Sequence, residues 1–107
     1  MGGMVPGLLH AGNYAAATHW LKAIKAAGTT DAEAVVARMK ATPVNDMYNK
    51  DVQIRADGRV MHQMYLWQVK PPSQAKGPHD YCNLLATIAP AEAWRSIADG
   101  GCPLIKA

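Results

Sequence analysis

His62, His79, Cys82 and Cys102 are the side chains of this sequence best suited to hold a metal. His79-x-x-Cys82 makes one close pair, with Cys102 and His62 as the remaining donors of acceptable type. Structural zinc sites ordinarily show two close pairs, so the spacing favours a loop histidine and a partly buried strand histidine over zinc ligands. A nucleophilic cysteine needs a base held beside it. Cys102 sits in Gly100-Gly101-Cys102-Pro103, a turn, with no local Cys-His signature. The two Glu and six Asp residues each suit a cap, a turn or a helix face, so no carboxylate pair stands out for acid–base work. Neither G-x-G-x-x-G nor G-x-x-x-x-G-K-[ST] occurs, so no phosphate cradle is readable. Trp20, Trp67 and Trp94 are spaced like core residues rather than a stacking box. Read for chemistry alone, the chain carries no catalytic, cofactor or metal site.

The elements that would position these residues belong to one small domain. A chain of 107 residues and 11.5 kDa, folded as a compact monomer, exposes about 5,800 Å² of surface. Hydrophobic residues make up 50% and charged residues 18%, a balance that excludes disorder. The net charge of +3 is spread over pairs such as Lys22 with Lys25 and Arg38 with Lys40. No clustered basic face exists to track a phosphate backbone, so nucleic acid is not an expected partner. His, Lys or Pro interrupts each apolar stretch before the roughly 20 residues a membrane span needs. The start, MGGMVPGLLHAGN, lacks the charged n-region and long apolar run of a signal peptide.

Periodicity then sets the element order. Residues 13–27 read as a helix with two adjacent apolar stripes, Tyr14, Ala17, Leu21 and Ile24 beside Ala16, Trp20, Ala23 and Ala27. Asn13 suits its start, Gly28 its left-handed stop, and His19 the border of its wet side. Thr30-Asp31-Ala32-Glu33 reads as a capping box that opens a second helix, ended by Pro43. Val52 and Ile54 then alternate with polar neighbours, Asp57-Gly58 makes a turn, and residues 59–70 read as a long strand. Tyr65, Trp67 and Val69 face one way and Met64 and Leu66 the other, which predicts a central strand covered on both sides. Residues 71–79 read as a loop and 81–88 as a further strand, with Cys82, Leu84, Ala86 and Ile88 on one face. A short helix from Pro90, carrying Trp94 and Ile97, ends at Gly100-Gly101. The helices come before any strand, so the sheet they expect is built later or is missing.

The blocks AGNYAAATHWLKAIKAAGTTDAEAVVARMKATPV, IRADGRVMHQMYLWQVKPPSQAKGPHDYCNLLATI and DGGCPLIK are similar, in order and spacing, to the end of a known family. They resemble the periplasmic solute-binding proteins of ABC transporters, in the type I group for branched-chain amino acids, amides and aromatic carboxylates. The resemblance implies an α/β chain with a partial type I periplasmic binding protein fold, residues 1–107 forming a single C-terminal fragment of a two-lobed protein. It implies a non-catalytic role, a small amino acid or aromatic carboxylate as ligand of the full-length parent, and a membrane permease as partner. The parent would be periplasmic, although this chain shows no signal peptide. Most ligand contacts would lie upstream; Tyr14 is the one residue here that the resemblance brings forward, and its place in the stripe suits a core or staple residue better than a ligand contact. His79 departs from the pattern, since relatives tend to carry an aromatic residue before Asp80. Periplasmic ancestry favours a disulfide between Cys82 and Cys102, against two reduced thiols for a chain made in the cytoplasm.

The alternative is a free-standing α+β interaction module that self-associates. Two helices, a hairpin and one strand cannot cover both stripes of the first helix and both faces of the sheet, and a second copy is the nearest cover. Light scattering of the isolated chain is expected to report a homodimer with Trp20, Leu21 or Ile24 in its interface. A mass of 11.5 kDa together with a cooperative melt would show instead that the chain closes its own core.

Overall fold

The computed structural model describes residues 5–103 and 105. The chain divides into two compact units, one running to Met61 and the other starting at His62.

The first unit is built on two helices. α1 spans Leu8–Ala27, five residues longer at its start than the pattern of residues 13–27 predicts. Gly7, not Asn13, is the N-cap, in an extended conformation. Its amide donates to His10 Nδ1 at 3.1 Å, so an imidazole does the work that a Glu or Gln does in a capping box. At the other end Gly28 adopts φ 67° and donates to the Ile24 carbonyl at 2.9 Å, the expected left-handed stop. α2 spans Ala32–Ala41. Its cap is Asp31 rather than Thr30: the Asp31 carboxylate accepts from the Ala34 amide at 3.0 Å. Thr42 is extended ahead of Pro43, as the proline demands.

The face that α1 turns inward is not the one its large residues predict. Ala15, His19 and Ala23 are buried and Ala11 is half-buried, a stripe spaced by four. Tyr14, Trp20 and Leu21 are all exposed by half or more. Small side chains let the two helices approach closely, and one polar contact fixes the choice. The His19 imidazole is only 6% exposed, and its Nε2–H donates to the Met39 carbonyl at 3.0 Å. In a continuing helix that carbonyl would take the amide four residues on, but position 43 is proline and has none. His19 supplies the donor that Pro43 lacks. It therefore belongs to the core and not to the border of a wet face.

Beyond Pro43 the chain doubles back in two short antiparallel pairings, Val44 with Val52 and Ile54 with Val60. The Asp57-Gly58 turn forms as expected, with Gly58 at φ 83° and the Arg55 amide donating to the Arg59 carbonyl at 2.8 Å. Val44, at 5% exposure, and Val35, at 3%, complete the small apolar core of this unit.

In the second unit the long strand predicted for residues 59–70 shortens to β1, Met64–Val69. It pairs antiparallel with β2, Cys82–Ile88, in a two-stranded sheet. Every residue of β1 is exposed, so the central, doubly covered strand is not what forms. The register runs Leu66 with Ala86 and then Trp67 with Leu84, which leaves Leu85 as an extra residue in a β-bulge. The bulge shifts the alternation: Ala86 and Ile88 share a face with Leu66 and Met64, while Cys82 and Leu84 share the opposite face with Val69 and Trp67. The single face expected for Cys82, Leu84, Ala86 and Ile88 is thus divided.

The one short helix expected after Pro90 forms as two single turns, α3 at Pro90–Ala93 and α4 at Ile97–Gly100. Trp94 is extended between them, because its indole Nε1–H donates to the His62 carbonyl at 2.8 Å and leaves the helical path. Ser96 caps α4, accepting from the Asp99 amide at 3.2 Å, and Gly101 stops it at φ 59°.

Replacing His19 by Ala leaves a void and strands the Met39 carbonyl. The expected loss is about 2–3 kcal/mol of stability, read as a lower midpoint in urea denaturation, with α2 fraying first at its C-terminal turn in amide exchange.

Candidate functional site

The helices and the chain beyond them enclose a cleft of about 220 Å³ in the first unit. Its α1 wall carries His19, Lys22, Ala23 and Ala26, spaced so that they fall on one helix face. Arg38 contributes from α2, and Thr42, Pro43 and Asn45 close the far side. Lys22 Nζ donates to the Asn45 carbonyl at 2.9 Å and so ties α1 to the segment after Pro43.

That segment is held by carboxylates used as structural acceptors. Asp46 takes the amides of Tyr48 and Asn49, both at 2.9 Å, and the Asn49 side-chain amide at 2.8 Å. Burial pushes the Asp46 carboxyl up, but these hydrogen bonds and the charge of Lys22 outweigh it and hold the pKa below its ordinary value. Asn49 is buried by this clasp. Asn45 and Asp51 bond reciprocally, side chain to side chain at 3.1 Å and Asp51 amide to Asn45 Oδ1 at 2.9 Å. This pairing holds Asp51 at φ 53°, a left-handed conformation that Asp tolerates better than most residues. At the hairpin tip the Arg55 guanidinium bonds Asp57 at 2.6 Å. That hydrogen bond is the largest cause holding the Asp57 carboxyl at about 2.

In the second unit the loop between the strands is closed by Lys70 and Asp80, paired at 2.5 Å. Asp80 also accepts the Lys76 amide at 3.0 Å. The Lys70 hydrogen bond, then the Lys76 amide, lower the Asp80 pKa. His79 stands at φ 71° with its ring edge-on to Tyr81, centroids 5.9 Å apart. Tyr65 and Trp67 lie tilted against each other at 5.9 Å, on the face they share with Leu84.

Tyr14 is half exposed on α1 and is not part of the wall of the cleft. The donors weighed for zinc are dispersed: His62 packs edge-on against Trp94 at 5.1 Å, and His79 against Tyr81. Among the described residues no three His, Cys, Asp or Glu side chains are gathered as a metal site would require. Cys82 is half-buried and Cys102 exposed, and both stand as free thiols in the structure. β2 carries the chain about 20 Å away from Cys82 before α3 begins, and two single-turn helices follow before Cys102. Sequence reasoning missed His19, Arg38 and Asn49; Pro43, which leaves the Met39 carbonyl without its donor, was the signal available for His19. Among the described residues, no helix is long and apolar enough to cross a membrane.

Comparison with known proteins gives three findings. Residues 1–78 match the family model described as periplasmic binding protein. A crystal structure of a periplasmic binding protein from Burkholderia mallei is similar over 96% of this chain, at 40% identity and a TM-score of 0.89. A branched-chain amino acid ABC transporter periplasmic ligand-binding protein from Burkholderia xenovorans LB400 is similar over 91% of it, at 35% identity and a TM-score of 0.81. This chain spans 27% and 26% of the lengths of those two proteins. No match is found among curated proteins.

The depressed Asp57 carboxyl gives a direct test. A carboxyl whose folded pKa is lowered contributes stability above its ordinary value and loses it as the pH falls through the folded one. That window runs from 3.8 down to about 2. Carbon-detected NMR should place the Asp57 midpoint near 2, and Arg55→Gln should return it towards 3.8.

Proposed function

The chain belongs to the periplasmic binding protein family, and on that premise we propose that it is the C-terminal portion of an ABC-transporter substrate-binding protein. The ligand is a branched-chain amino acid or a related small carboxylate. The role is non-catalytic: this chain supplies part of a binding protein in the periplasm, and the membrane permease and its ATPase carry out transport. What carries the reading is the likeness to the Burkholderia xenovorans ligand-binding protein over nine-tenths of the chain.

Physical features agree with it. A two-lobed binding protein encloses its ligand by hinge closure, each lobe giving part of the wall. In the chain alone, Tyr14, Trp20 and Leu21 on α1 and the whole of β1 are uncovered, as surfaces meant for more polypeptide would be. Tyr14, half exposed near the start of α1, is the residue proposed to face the ligand of the parent. A second reading, a free-standing module that pairs with another copy, draws on the same uncovered stripe, continued by Leu8 at 88% and Leu9 at 77% exposure.

One wall of a cleft cannot desolvate a small zwitterion from both sides. Calorimetric titration of the isolated chain with leucine, valine and 4-hydroxybenzoate is expected to be silent. The two-lobed parent is expected to give micromolar heats with at least one of them. Micromolar binding by the chain alone would overturn the partial-wall reading, and silence of the parent towards all three would overturn the ligand class.

A further inference from the structure

We infer that the outer edge of β1 is an adhesive surface that recruits the β1 of a second copy of this chain, antiparallel about a twofold axis through Leu66. This surface is distinct from the exposed stripe of α1, and the inference does not rest on the transport reading.

β1 lies in a sheet of two strands, so one side of it pairs with β2 and no described strand pairs with the other. An edge left in this way offers backbone donors and acceptors to any strand that fits, and proteins ordinarily blunt it with charge, proline or a bulge. β1 has none of the three. Its sequence, MYLWQV, is uncharged, without Pro or Gly, and exposed along its whole length. The bulge of the ribbon lies in β2, at Leu85, and twists that strand instead. Lys70 follows directly after β1, but its ammonium is held 2.5 Å from Asp80.

Register identifies the occupant. The Lys70 amide donates to the Tyr81 carbonyl at 2.7 Å, so strand alternation turns the amides and carbonyls of Tyr65, Trp67 and Val69 outward. Residues opposed in a ladder share a face, and a twofold axis normal to the sheet keeps each face on its own side. Only registers that oppose positions of equal parity are therefore open to two copies of β1. With the axis at Leu66, Tyr65 opposes Trp67 of the second copy and Trp67 opposes its Tyr65, both as hydrogen-bonded pairs made by the outward groups. Leu66 then meets itself, and Met64 meets Gln68. Moving the axis to Trp67 would match Tyr65 with Val69 and lose both aromatic pairs. Cross-strand aromatic pairs stabilise antiparallel sheets, and like charges directly opposed destabilise them. Tyr65 and Trp67 are 45% and 53% exposed, so both rings are available to pair. An uncharged strand meets itself without repulsion. Two ribbons joined in this way form one four-stranded sheet, past the marginal stability of a lone pair of strands. Edge pairing of six residues buries less than the roughly 1,000 Å² of a durable interface, so the association is weak.

The test reads backbone amide exchange of the full chain against its own concentration. Between about 20 µM and about 1 mM, exchange is expected to slow severalfold at Tyr65 and Trp67, with smaller changes at Leu66 and Gln68, whose amides already face β2. Leu66→Lys and Leu66→Glu are each expected to abolish the slowing, because like charges then stand face to face. An equimolar mixture, with only the lysine variant ¹⁵N-labelled, is expected to restore it. Exchange at Tyr65 and Trp67 that ignores concentration in the unaltered chain would overturn the proposal, and this measurement stands even where a variant fails to fold. Slowing that falls on α1 and spares β1 would assign association to the helix stripe and overturn the edge pairing. A mixture of folded variants that restores nothing would show that position 66 does not face itself, and would overturn it as well.

Discussion

The hydrogen bond from His19 to the Met39 carbonyl decides which face of α1 turns inward, and the rest of the first unit follows from that decision. A buried imidazole must have a partner, and a carbonyl in the last turn of a helix must find a donor. Proline at position 43 removes the ordinary donor, so the two needs meet in one contact across the helix pair. Once His19 is inside, Ala15 and Ala23 lie inside with it, Lys22 lands beside Asn45, and the cleft takes its present lining.

Hydrophobicity alone would choose otherwise. Burying Tyr14, Trp20 and Leu21 would remove far more apolar surface from water than burying two alanines and a histidine, at about 25 cal/mol for each Å². The helix pair gives up that gain because α2 is short and offers Val35 as its one buried residue. A partner surface of that size accepts small residues at close approach and cannot enclose three large ones. The sheet repeats the pattern, with β1 exposed along its whole length and an aromatic pair on one face. In both units the apolar side chains exceed what the local elements can cover.

Local signals in the sequence were legible and long-range ones were not. Gly28, Pro43 and Asp57-Gly58 act through their own backbone preferences, and each stands where those preferences place it. The family likeness was equally legible, because it lies in the order of residues rather than in their contacts. The inward face of α1 was hidden, since a helical wheel ranks stripes by hydrophobicity and knows nothing of a carbonyl stranded by a proline twenty-four positions later than His19. The start of α1 was missed because Gly7 and His10 form an unusual cap. Trp94 divides the C-terminal helix by bonding to His62, far away in sequence. Of the candidate site, Lys22 and Arg38 looked like solvated helix residues until the hairpin of helices set them around one hollow.

The extra residue at Leu85 makes the length of β2, and not only its composition, part of the structural code. It works as a half-period phase shift: residues before it obey one parity and residues after it the other. A deletion at this point would realign the two halves of the strand, so that either Cys82 and Leu84 or Ala86 and Ile88 would change sides together. Point substitutions along β2 are therefore local events, while loss or gain of one residue there exchanges a block of side chains between the two surfaces of the ribbon. Among homologous chains, indels should be purged from this strand far more strictly than changes of residue type.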